Sequence, residues 1–330
     1  MTETLRGAVV GTGSYAPQAV MTNADFETFL DTSDEWIVQR TGIRERRLVG
    51  DGESSATLAT EAARRALDDA GMTAADLDLI VCATVSPDMI IPSTACFVQK
   101  ALGATDVPSF DVAAACSGFV YALATANGFI SQGLYRRILV IGVDALSRFA
   151  DFSDRGSCIL FGDAAGAAVV EATDESDLGV RYLKLGADGT GWDYIRIPAG
   201  GSRTPATAET VAAGDHFVKM RGRDVYKFAV QKMGFLLEDA MATCHLSVYD
   251  IDLVIPHQVN QRIIESATAK MNFPMEKVYV NIDKYGNTSG ASIPLALDEA
   301  RRNGRLADGA TVLMVAFGAG LTWGGAVVGL

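Results

Sequence analysis

The amino-acid sequence predicts an α/β protein made of two duplicated halves. Short, continuous apolar runs alternate with segments whose apolar residues recur at helical spacing, which is the pattern of buried strands joined by helices. Similar segments return in the same order about 174 residues later in the chain. A length of 330 residues, of which 49% are hydrophobic and 21% charged, is sufficient for the cores of two such halves.

Matching segments define the duplication. Predicted helices at 59–71 and 225–241 each precede a predicted strand, and aligning Asp78 with Asp252 gives an offset of 252 − 78 = 174. Further matches in the same order are Ser117-Gly118 with Ser289-Gly290 (289 − 117 = 172), RILVIG from Arg137 with TVLMVA from Thr311 (311 − 137 = 174), and GAAVV from Gly166 with GAVV from Gly325. We therefore expect halves at 1–173 and 174–330 that pack about a pseudo-dyad, with residues 22–52 inserted early in the first half.

Charge and composition exclude several classes of function. The formal net charge of −12 argues against a general affinity for nucleic acid or anionic membranes, so an acidic partner would need a local basic patch. Five cysteines without a CxxC spacing, and three widely separated histidines (His216, His245 and His257), predict neither a disulfide framework nor a metal site. The first apolar run, at 8–10, is too short for a signal-peptide core, and no run approaches the roughly 18 residues of a membrane helix, so we expect a cytoplasmic protein.

Three chemically capable side chains lie where predicted strands end. Cys116 follows a strand of the first half at the start of an apolar helix, whose dipole would favour a thiolate. Asn287 occupies the corresponding loop of the second half, and His257 follows the strand DLVIP. Because reactive groups gather at the carboxyl ends of strands in α/β sheets, we expect these side chains to meet in one pocket.

Each candidate also has a purely structural interpretation. A lone histidine is more often structural than catalytic, and an asparagine beside glycine is ordinarily a turn residue. The mirrored positions of Cys116 and Asn287 favour function for these two, whereas the strand-end position of His257 leaves both interpretations open. Cysteine is most often a small buried hydrophobe, and four positions keep that interpretation: Cys82, Cys96, Cys158 and Cys244.

Two glycine-rich segments are interpreted differently. The segment from Gly11 to Ala16 superficially fits the dinucleotide pattern GxGxxA, but Pro17 follows and no helix opens at the glycines, so we reject that function. The segment FGAGLTWG at 317–324 follows an apolar strand. It predicts either a tight turn or a loop that offers a backbone N–H to an oxyanion.

With Cys116, His257 and Asn287 as candidates, the chain resembles the β-ketoacyl-acyl carrier protein synthase III family, the initiating condensing enzymes of type II fatty acid synthesis. The likeness extends over essentially the whole chain. The motifs that carry it are GTGSYAP at Gly11, DTSDEWIVQRTGIRER at Asp31, DVAAACSGF at Asp111, DRGSCILFGDAAGAA at Asp154, PHQVNQRI at Pro256, YGNTSGAS at Tyr285 and FGAGLTWG at Phe317. The resemblance implies a thiolase-like fold with five layers (αβαβα), which agrees with the duplication.

The resemblance also implies a reaction and a Cys-His-Asn triad. Cys116 would attack the thioester of an acyl-coenzyme A primer, with acetyl-coenzyme A as the leading expectation, and the acyl-enzyme would then condense with malonyl-acyl carrier protein as carbon dioxide is lost. His257 and Asn287 would donate hydrogen bonds to the thioester oxygen. The backbone N–H groups of Cys116 and Ala319 would form a second oxyanion hole; many relatives have glycine at 319, so alanine requires an ordinary backbone there. No metal or cofactor is implied, since acyl-coenzyme A is a substrate.

The same resemblance implies binding residues and partners. Trp36 and Arg155 would sandwich the adenine of coenzyme A, and Arg40, Gly222 and Asn260 would line its phosphate and pantetheine path. Acyl carrier protein, an acidic partner, would dock on a basic surface that comprises Gln258, Val259, Asn260, Gln261, Arg262, Lys227 and Lys270. A homodimer is expected, with the strand at 107–114 as an interface element. Ile91 stands where some relatives place a phenylalanine that crosses the dimer interface to limit the acyl pocket, so primer length stays open.

Other functions compete with this one. A related Cys-His-Asn condensing enzyme of secondary metabolism, with a longer or branched acyl-coenzyme A primer, would share these residues. A degradative thiolase is disfavoured because no cysteine follows Cys244 to act as a base. A chain-elongating synthase is disfavoured because Asn287 stands where that class has a second histidine, and a non-catalytic partner subunit would be expected to lose Cys116.

Overall fold

Two mixed β-sheets with helices on both faces form the body of the molecule. The computed structural model describes residues 5–330, so residues 1–4 of the predicted first half lie outside the described part. The strands are β1 (Arg6–Tyr15), β2 (Val20–Thr22), β3 (Glu45–Arg47), β4 (Leu79–Ala83), β5 (Ser109–Val112), β6 (Arg137–Ala145), β7 (Asp163–Thr173), β8 (Gly179–Ala187), β9 (Ile195–Arg196), β10 (Lys219–Met220), β11 (Leu253–Pro256), β12 (Thr311–Gly318) and β13 (Thr322–Gly329). The α-helices are α1 (Asn23–Glu27), α2 (Asp34–Thr41), α3 (Ser55–Asp69), α4 (Thr94–Leu102), α5 (Gly118–Ser131), α6 (Ala208–Ala212), α7 (Gly222–Cys244), α8 (Gln261–Lys270), α9 (Ile282–Tyr285) and α10 (Ser292–Arg302). None of these helices is both long and apolar enough to cross a membrane.

The two large sheets share one topology, as the duplication predicts. The first sheet has the order β1-β7-β6-β4-β5, and the second has the matching order β8-β13-β12-β11. In each sheet the second strand is antiparallel to both the first and the third, and the fourth is parallel to the third. At the edge equivalent to β5, Val254 and Val278 of the second half form an isolated parallel bridge. The boundary between 173 and 174 stays a prediction; β7 ends at Thr173 and β8 begins at Gly179.

Helices form three layers around these sheets. Helices α5 and α10 lie between the sheets, and residues such as Val81, Phe119 and Met314 form the main core there. Helices α3 and α4 cover the outer face of the first sheet, and α7 and α8 cover the outer face of the second. This arrangement is the predicted five-layer αβαβα order.

The glycines of the first strand serve close packing. A Cβ atom on Gly13 would lie 2.4 Å from the carbonyl oxygen of Ala62, and one on Gly11 would lie 2.5 Å from that of Ala66, so only glycine lets α3 approach β1 this closely. Both glycines lie inside β1 and no helix begins at them. The structure therefore agrees with the rejection of a dinucleotide fingerprint.

The predicted insertion at 22–52 packs beside the first half. It contains α1, α2 and β3, and β3 pairs with β2. Phe26 and Ile37 of the insertion form an apolar cluster with Cys158 and Phe161, which lie between β6 and β7. The insertion is thereby fixed against the segment that leads toward the candidate site.

Some local expectations differ from the structure. The helix predicted at 59–71 begins earlier, at Ser55, because Ser54 and Thr57 form a capping box before it. The helix predicted at 225–241 extends to Gly222–Cys244 and ends where His245 adopts a left-handed backbone with φ of 55°. The expectation that Cys96 is buried is wrong: this thiol is exposed on α4, whereas Cys82 is buried as expected.

Candidate active site

Cys116 lies in the turn between β5 and α5. Residues Ala115–Ser117 form a single 3-10 turn and α5 begins at Gly118, so the thiol sits just before the helix N-terminus, as the sequence predicts. Ala115 has a φ of 47°, a left-handed conformation that alanine rarely adopts. Strain of this kind persists only where surrounding contacts fix the backbone.

The hairpin of β12 and β13 provides those contacts. Gly318 ends β12 beside the nucleophile, and a Cβ atom on it would lie 2.7 Å from the Cys116 backbone nitrogen. The Thr322 hydroxyl lies 3.0 Å from Ala114 O and 3.1 Å from Ala319 O. Thr322 therefore ties together the two segments that carry the Cys116 and Ala319 N–H groups. The backbone of Ala319 stays out of the left-handed region, as its side chain requires.

His257 follows β11 and is buried. Its Nδ1 lies 2.7 Å from Ser292 Oγ, and its ring meets that of Phe317 edge-on with centroids 5.7 Å apart. Its Nε2 is buried without a hydrogen-bond partner among residues 5–330, so one ring nitrogen is oriented and the other is available to a ligand. Burial lowers the pKa of His257 to about 3, and the imidazole is therefore neutral at physiological pH.

Backbone hydrogen bonds hold Asn287 on both sides. Its N–H donates to Leu160 O at 2.8 Å, and its carbonyl accepts from the Gly162 N–H at 3.0 Å. Its side-chain Oδ1 accepts from the Ser289 N–H at 2.9 Å. Since the amide oxygen is already engaged, the Nδ2 group remains as the donor that a substrate can use.

Arg46 supports the loop of Asn287 from beneath. The side chain is fully buried; it donates to Ile159 O at 2.8 Å and to Asn23 Oδ1 at 3.0 Å. Gly162 and Gly286, which flank the bridge to Asn287, pack on it so closely that their Cβ positions would lie 3.1 and 3.4 Å from Arg46 Cβ. Burial lowers the pKa of Arg46 to about 10, and the guanidinium still carries its charge at neutral pH.

Cys116, His257 and Asn287 line one cavity of about 240 Å³, together with Ala319. The structure thus brings together the residues that the sequence places at strand ends. The other walls are mainly apolar and include Leu146, Phe161, Val218, Val225, Phe228 and Leu321. Apolar walls lower the local dielectric constant and strengthen any hydrogen bond made to a substrate there.

The electrostatics of the nucleophile differ from the sequence-based expectation. Burial raises the pKa of the Cys116 thiol to about 12, although the Ser289 side chain acts in the opposite direction. This burial opposes the effect expected of the helix N-terminus, which favours the thiolate. At neutral pH the resting group is the thiol.

Comparison with known proteins decides the family. The family model described as 3-Oxoacyl-[acyl-carrier-protein (ACP)] synthase III matches residues 110–189, and the model of its C-terminal part matches residues 241–330. A protein named Beta-ketoacyl-[acyl-carrier-protein] synthase III from Caldanaerobacter subterraneus is 51% identical over 328 residues, which cover 99% of each chain. The chain belongs to the 3-oxoacyl-[acyl-carrier-protein] synthase III family.

Solved structures agree with membership of this synthase family. The crystal structure of 3-oxoacyl-[acyl-carrier-protein] synthase III from Aquifex aeolicus has a TM-score of 0.90 at 42% identity and covers 98% of this chain and 100% of its own. The priming β-ketosynthase of the R1128 polyketide pathway has a TM-score of 0.91 at 34% identity, with coverage of 100% and 98%. The predicted thiolase-like fold is therefore confirmed.

The residues that the synthase family implies for coenzyme A are close together but already in mutual contact. The guanidinium of Arg155 lies 4.9 Å from the centroid of the Trp36 ring, and that of Arg40 lies at the same distance. An adenine between Trp36 and Arg155 therefore requires the exposed Arg155 side chain to move. Asn260 donates from Nδ2 to Arg40 O at 2.8 Å and accepts at Oδ1 from the Arg262 N–H at 2.9 Å, so both ends of its amide are engaged. These binding roles stay predictions.

The predicted carrier-protein surface is partly buried. Gln258 is enclosed; its Nε2 donates to Pro256 O and Tyr279 O, and its Oε1 accepts from the Asn281 N–H. The prediction that Gln258 contacts the carrier protein is therefore wrong, because its amide braces the second half from inside. Val259 lines the cavity.

Basic residues of that surface are exposed. Lys227 lies on α7, and Arg262 and Lys270 lie on α8, which packs against α7. Gly222 begins α7 and is exposed, while Gln261 is half-buried at the start of α8. The contacts of these residues with carrier protein stay predictions.

Ile91 lies outside the cavity of its own chain. Its exposed fraction is 81%, and the neighbouring Ile90 is 80% exposed. This apolar loop precedes α4, whose first N–H groups donate to Asp111 of the edge strand β5. Any role for Ile91 in an acyl pocket needs a second copy of the chain and stays a prediction.

Sequence reasoning missed several supports of the site. Ser292, which orients His257, and Ser289, which orients Asn287, both lie in the segment YGNTSGAS that was chosen for Asn287 alone. The polar residues of that segment could therefore have indicated these two supports. Arg46 and Thr322 act through contacts with residues far away in the chain, and no local pattern marks them.

Proposed function

We propose that the chain catalyses the decarboxylative condensation of an acyl-coenzyme A primer, acetyl-coenzyme A foremost, with malonyl-acyl carrier protein. The product is a 3-oxoacyl-acyl carrier protein, the first condensation product of fatty acid synthesis. The observation that carries the proposal is the meeting of Cys116, neutral His257 and Asn287 in one apolar cavity. Membership of the synthase III family agrees with it.

The first step is acyl transfer to Cys116. Its sulfur forms a bond to the thioester carbon, the bond from that carbon to the coenzyme A sulfur breaks, and the proton of the thiol ends on the coenzyme A thiol. Negative charge develops on the thioester oxygen, which the backbone N–H groups of Cys116 and Ala319 would bind. Thr322, which ties the two segments, supports this pairing.

The second step is carbon–carbon bond formation. The bond from the malonyl α-carbon to its carboxylate breaks, carbon dioxide leaves, and the electron pair becomes an enolate on the thioester. The α-carbon then attacks the acyl carbon, and the Cys116 sulfur leaves and is reprotonated. No strong base is needed, because decarboxylation itself generates the nucleophile.

Hydrogen-bond donors are what the second step needs. The free Nε2 of His257 and the Nδ2 group of Asn287 are suited to the enolate oxygen. Because the His257 imidazole is neutral, it can serve in the tautomer whose Nε2 carries the proton, with Nδ1 accepting from the Ser292 hydroxyl. The mechanism proposed here uses no metal and no cofactor.

Partners and location belong to the same proposal. Lys227, Arg262 and Lys270 are exposed on the packed helices α7 and α8 of a chain of net charge −12, which suits an acidic carrier protein. We place the enzyme in the cytoplasm as a homodimer. The free edge of β5 and the exposed loop of Ile90 and Ile91 support dimerisation.

Initial rates with acetyl-, isobutyryl- and octanoyl-coenzyme A test this function, with malonyl-acyl carrier protein as the common second substrate. We expect that every active primer gives product only when the carrier protein is present. Among the primers, acetyl-coenzyme A should give the highest kcat/KM. Equal rates with malonyl-coenzyme A alone would contradict the role in fatty acid synthesis. The second candidate is a condensing enzyme of secondary metabolism, favoured by the likeness to a polyketide priming ketosynthase; a strong preference for octanoyl- or isobutyryl-coenzyme A would support it.

A further inference from the structure

Ser117 follows the nucleophile directly but is not among the residues that line the cavity. Its side chain is fully buried, and its Oγ lies 2.6 Å from Thr322 Oγ1 and 3.0 Å from Ala114 O. A separation of 2.6 Å between two hydroxyl oxygens requires a proton between them, so one hydroxyl donates to the other. Ser117 and Thr322 therefore form a hydroxyl pair that joins the turn of Cys116 to the hairpin of β12 and β13.

The link made by this hydroxyl pair does not depend on where its protons lie. Each hydroxyl has a single proton to donate, and one of the two lies between the oxygens of the pair. The other is left for a backbone carbonyl: Ala114 O lies 3.0 Å from each hydroxyl oxygen, and Ala319 O lies 3.1 Å from Thr322 Oγ1. In every arrangement the bond between the hydroxyls connects the first half of the chain with the second.

The hairpin has other contacts that keep it folded. Gly318 and Thr322 pair across it, and Asp188 exchanges two backbone hydrogen bonds with Leu321 at its tip, of 2.8 and 2.9 Å. A Cβ atom on Gly318 would lie 2.7 Å from the Cys116 backbone nitrogen, so the hairpin also packs directly on the turn. We therefore expect that loss of the hydroxyl pair leaves the hairpin folded and changes only its spacing from the turn of Cys116.

We propose that the hydroxyl pair of Ser117 and Thr322 positions the two backbone N–H groups that bind the thioester oxygen. These N–H groups belong to Cys116 and Ala319. The pair holds a residue on either side of them, since Ser117 follows Cys116 and the Ala319 carbonyl lies beside Thr322 Oγ1. Neither Ser117 nor Thr322 lines the cavity, so both are positioning residues. The inference rests on the proposed function in taking these N–H groups as the oxyanion hole.

The acyl oxygen becomes negative twice in the reaction. It does so when Cys116 attacks the primer thioester, and again when the enolate attacks the acyl-enzyme. Both steps place the charge between the N–H groups of Cys116 and Ala319, so both depend on the spacing of those groups. Loss of the hydroxyl pair should therefore slow acylation and condensation alike.

The rate of acetylation of Cys116 in a single turnover, followed by rapid quenching and intact-mass spectrometry, tests the proposal. Misplacement of a catalytic group by about 1 Å costs about 10²-fold, so a shift of part of that distance in Thr322→Val should slow acetylation about tenfold. The concentration of acetyl-coenzyme A that gives half the maximal rate should not change, because the pair does not reach the cavity. Ser117→Ala should slow the step less, since Thr322 keeps its contacts with both carbonyls.

One conservative variant and two matched controls accompany these measurements. Thr322→Ser keeps the hydroxyl and should restore the wild-type rate. Thr311 begins the same strand β12 and accepts from Arg181 at 2.7 Å, and Ser131 ends helix α5 and donates to Gly128 O at 3.0 Å. Thr311→Val and Ser131→Ala each remove a hydroxyl far from the turn of Cys116 and should leave acetylation unchanged.

A slower acetylation in Thr322→Val that Thr322→Ser restores supports the proposal. Wild-type rates in both Thr322→Val and Ser117→Ala, or an equal loss in Thr322→Ser, would overturn it. If Thr322→Val does not fold, Ser117→Ala decides, and a wild-type rate there removes the pair from the mechanism. A wild-type enzyme that takes up no acetyl group would overturn the proposed function as well, whereas an acetylated wild type with unaffected variants overturns the role of the pair alone.

Discussion

Replacement of Asn287 by alanine should stop condensation while acyl transfer to Cys116 continues. In the structure the amide oxygen of Asn287 accepts from the Ser289 N–H, so Nδ2 is the group left for the enolate oxygen. Loss of one oxyanion donor lowers kcat by about 10²–10³-fold, which is about 2.7–4 kcal/mol at the transition state. In the proposed mechanism acyl transfer relies on the N–H groups of Cys116 and Ala319, which the substitution leaves in place.

The same substitution should also cost stability. Alanine leaves the buried Ser289 N–H without its acceptor, which costs about 1–3 kcal/mol of unfolding free energy. Asn281→Ala is the matched control: Asn281 is buried in the same half and donates to Glu299, but it does not line the cavity. It should lower stability and leave the ratio of condensation to acylation unchanged.

Mass spectrometry separates the two steps. The intact mass of the enzyme after a brief exposure to acetyl-coenzyme A reports acylation, and the mass of carrier protein after a chase with its malonyl form reports condensation. Equal losses of both steps in Asn287→Ala would refute the donor role. So would a condensation rate within about tenfold of the wild type, because that is less than a single donor contributes.

Three further predictions follow from the same geometry. Burial holds the pKa of His257 near 3, so condensation should show no histidine ionisation between pH 5 and 8. The unfolded chain binds this proton near pH 6.5, so the free energy of unfolding measured with urea should fall below that pH. His257→Asn should remove this contribution to the pH dependence of stability. Gly318→Ala should slow acylation in rapid-quench assays by about 10²-fold, because its Cβ would displace the Cys116 backbone nitrogen. In the control Gly325→Ala the new Cβ contacts the flexible Leu236 side chain, so the rate of acylation should stay unchanged. Arg46→Met removes the hydrogen bonds to three acceptors, so it should lower the free energy of unfolding by several times the roughly 1–3 kcal/mol of one unpaired buried acceptor. Arg47→Met loses only a partly exposed ion pair and should lower it by less than about 1 kcal/mol in the same urea measurements.

The layered fold was predictable because duplication leaves a strong signal in apolar runs. The strands β4 and β11, and β6 and β12, begin at offsets of 174 residues, and both sheets use them in the same order. Cys116 and His257 could be chosen because each follows a strand, and Asn287 because its loop corresponds to the loop of Cys116 in the other half. These are properties of local pattern and of its repetition.

The features that the sequence did not predict depend on contacts between residues that are far apart in the chain. Arg46 lies in a charged segment that reads as exposed, and its burial depends on Ile159, 113 residues away. Gln258 follows His257 directly, yet its amide is buried against Tyr279 and Asn281. The high pKa of the Cys116 thiol is likewise a sum over tertiary surroundings, which no local motif records.

The central claim is that Cys116 carries the acyl group between the two substrates. Intact-mass and peptide mass spectrometry of the enzyme, first with acetyl-coenzyme A and then after addition of malonyl-acyl carrier protein, test it most directly. We predict one acetyl group on Cys116, absent in Cys116→Ser, that disappears as 3-oxoacyl-carrier protein forms. No adduct on the wild type, or an equal adduct on Cys116→Ser, would contradict the claim.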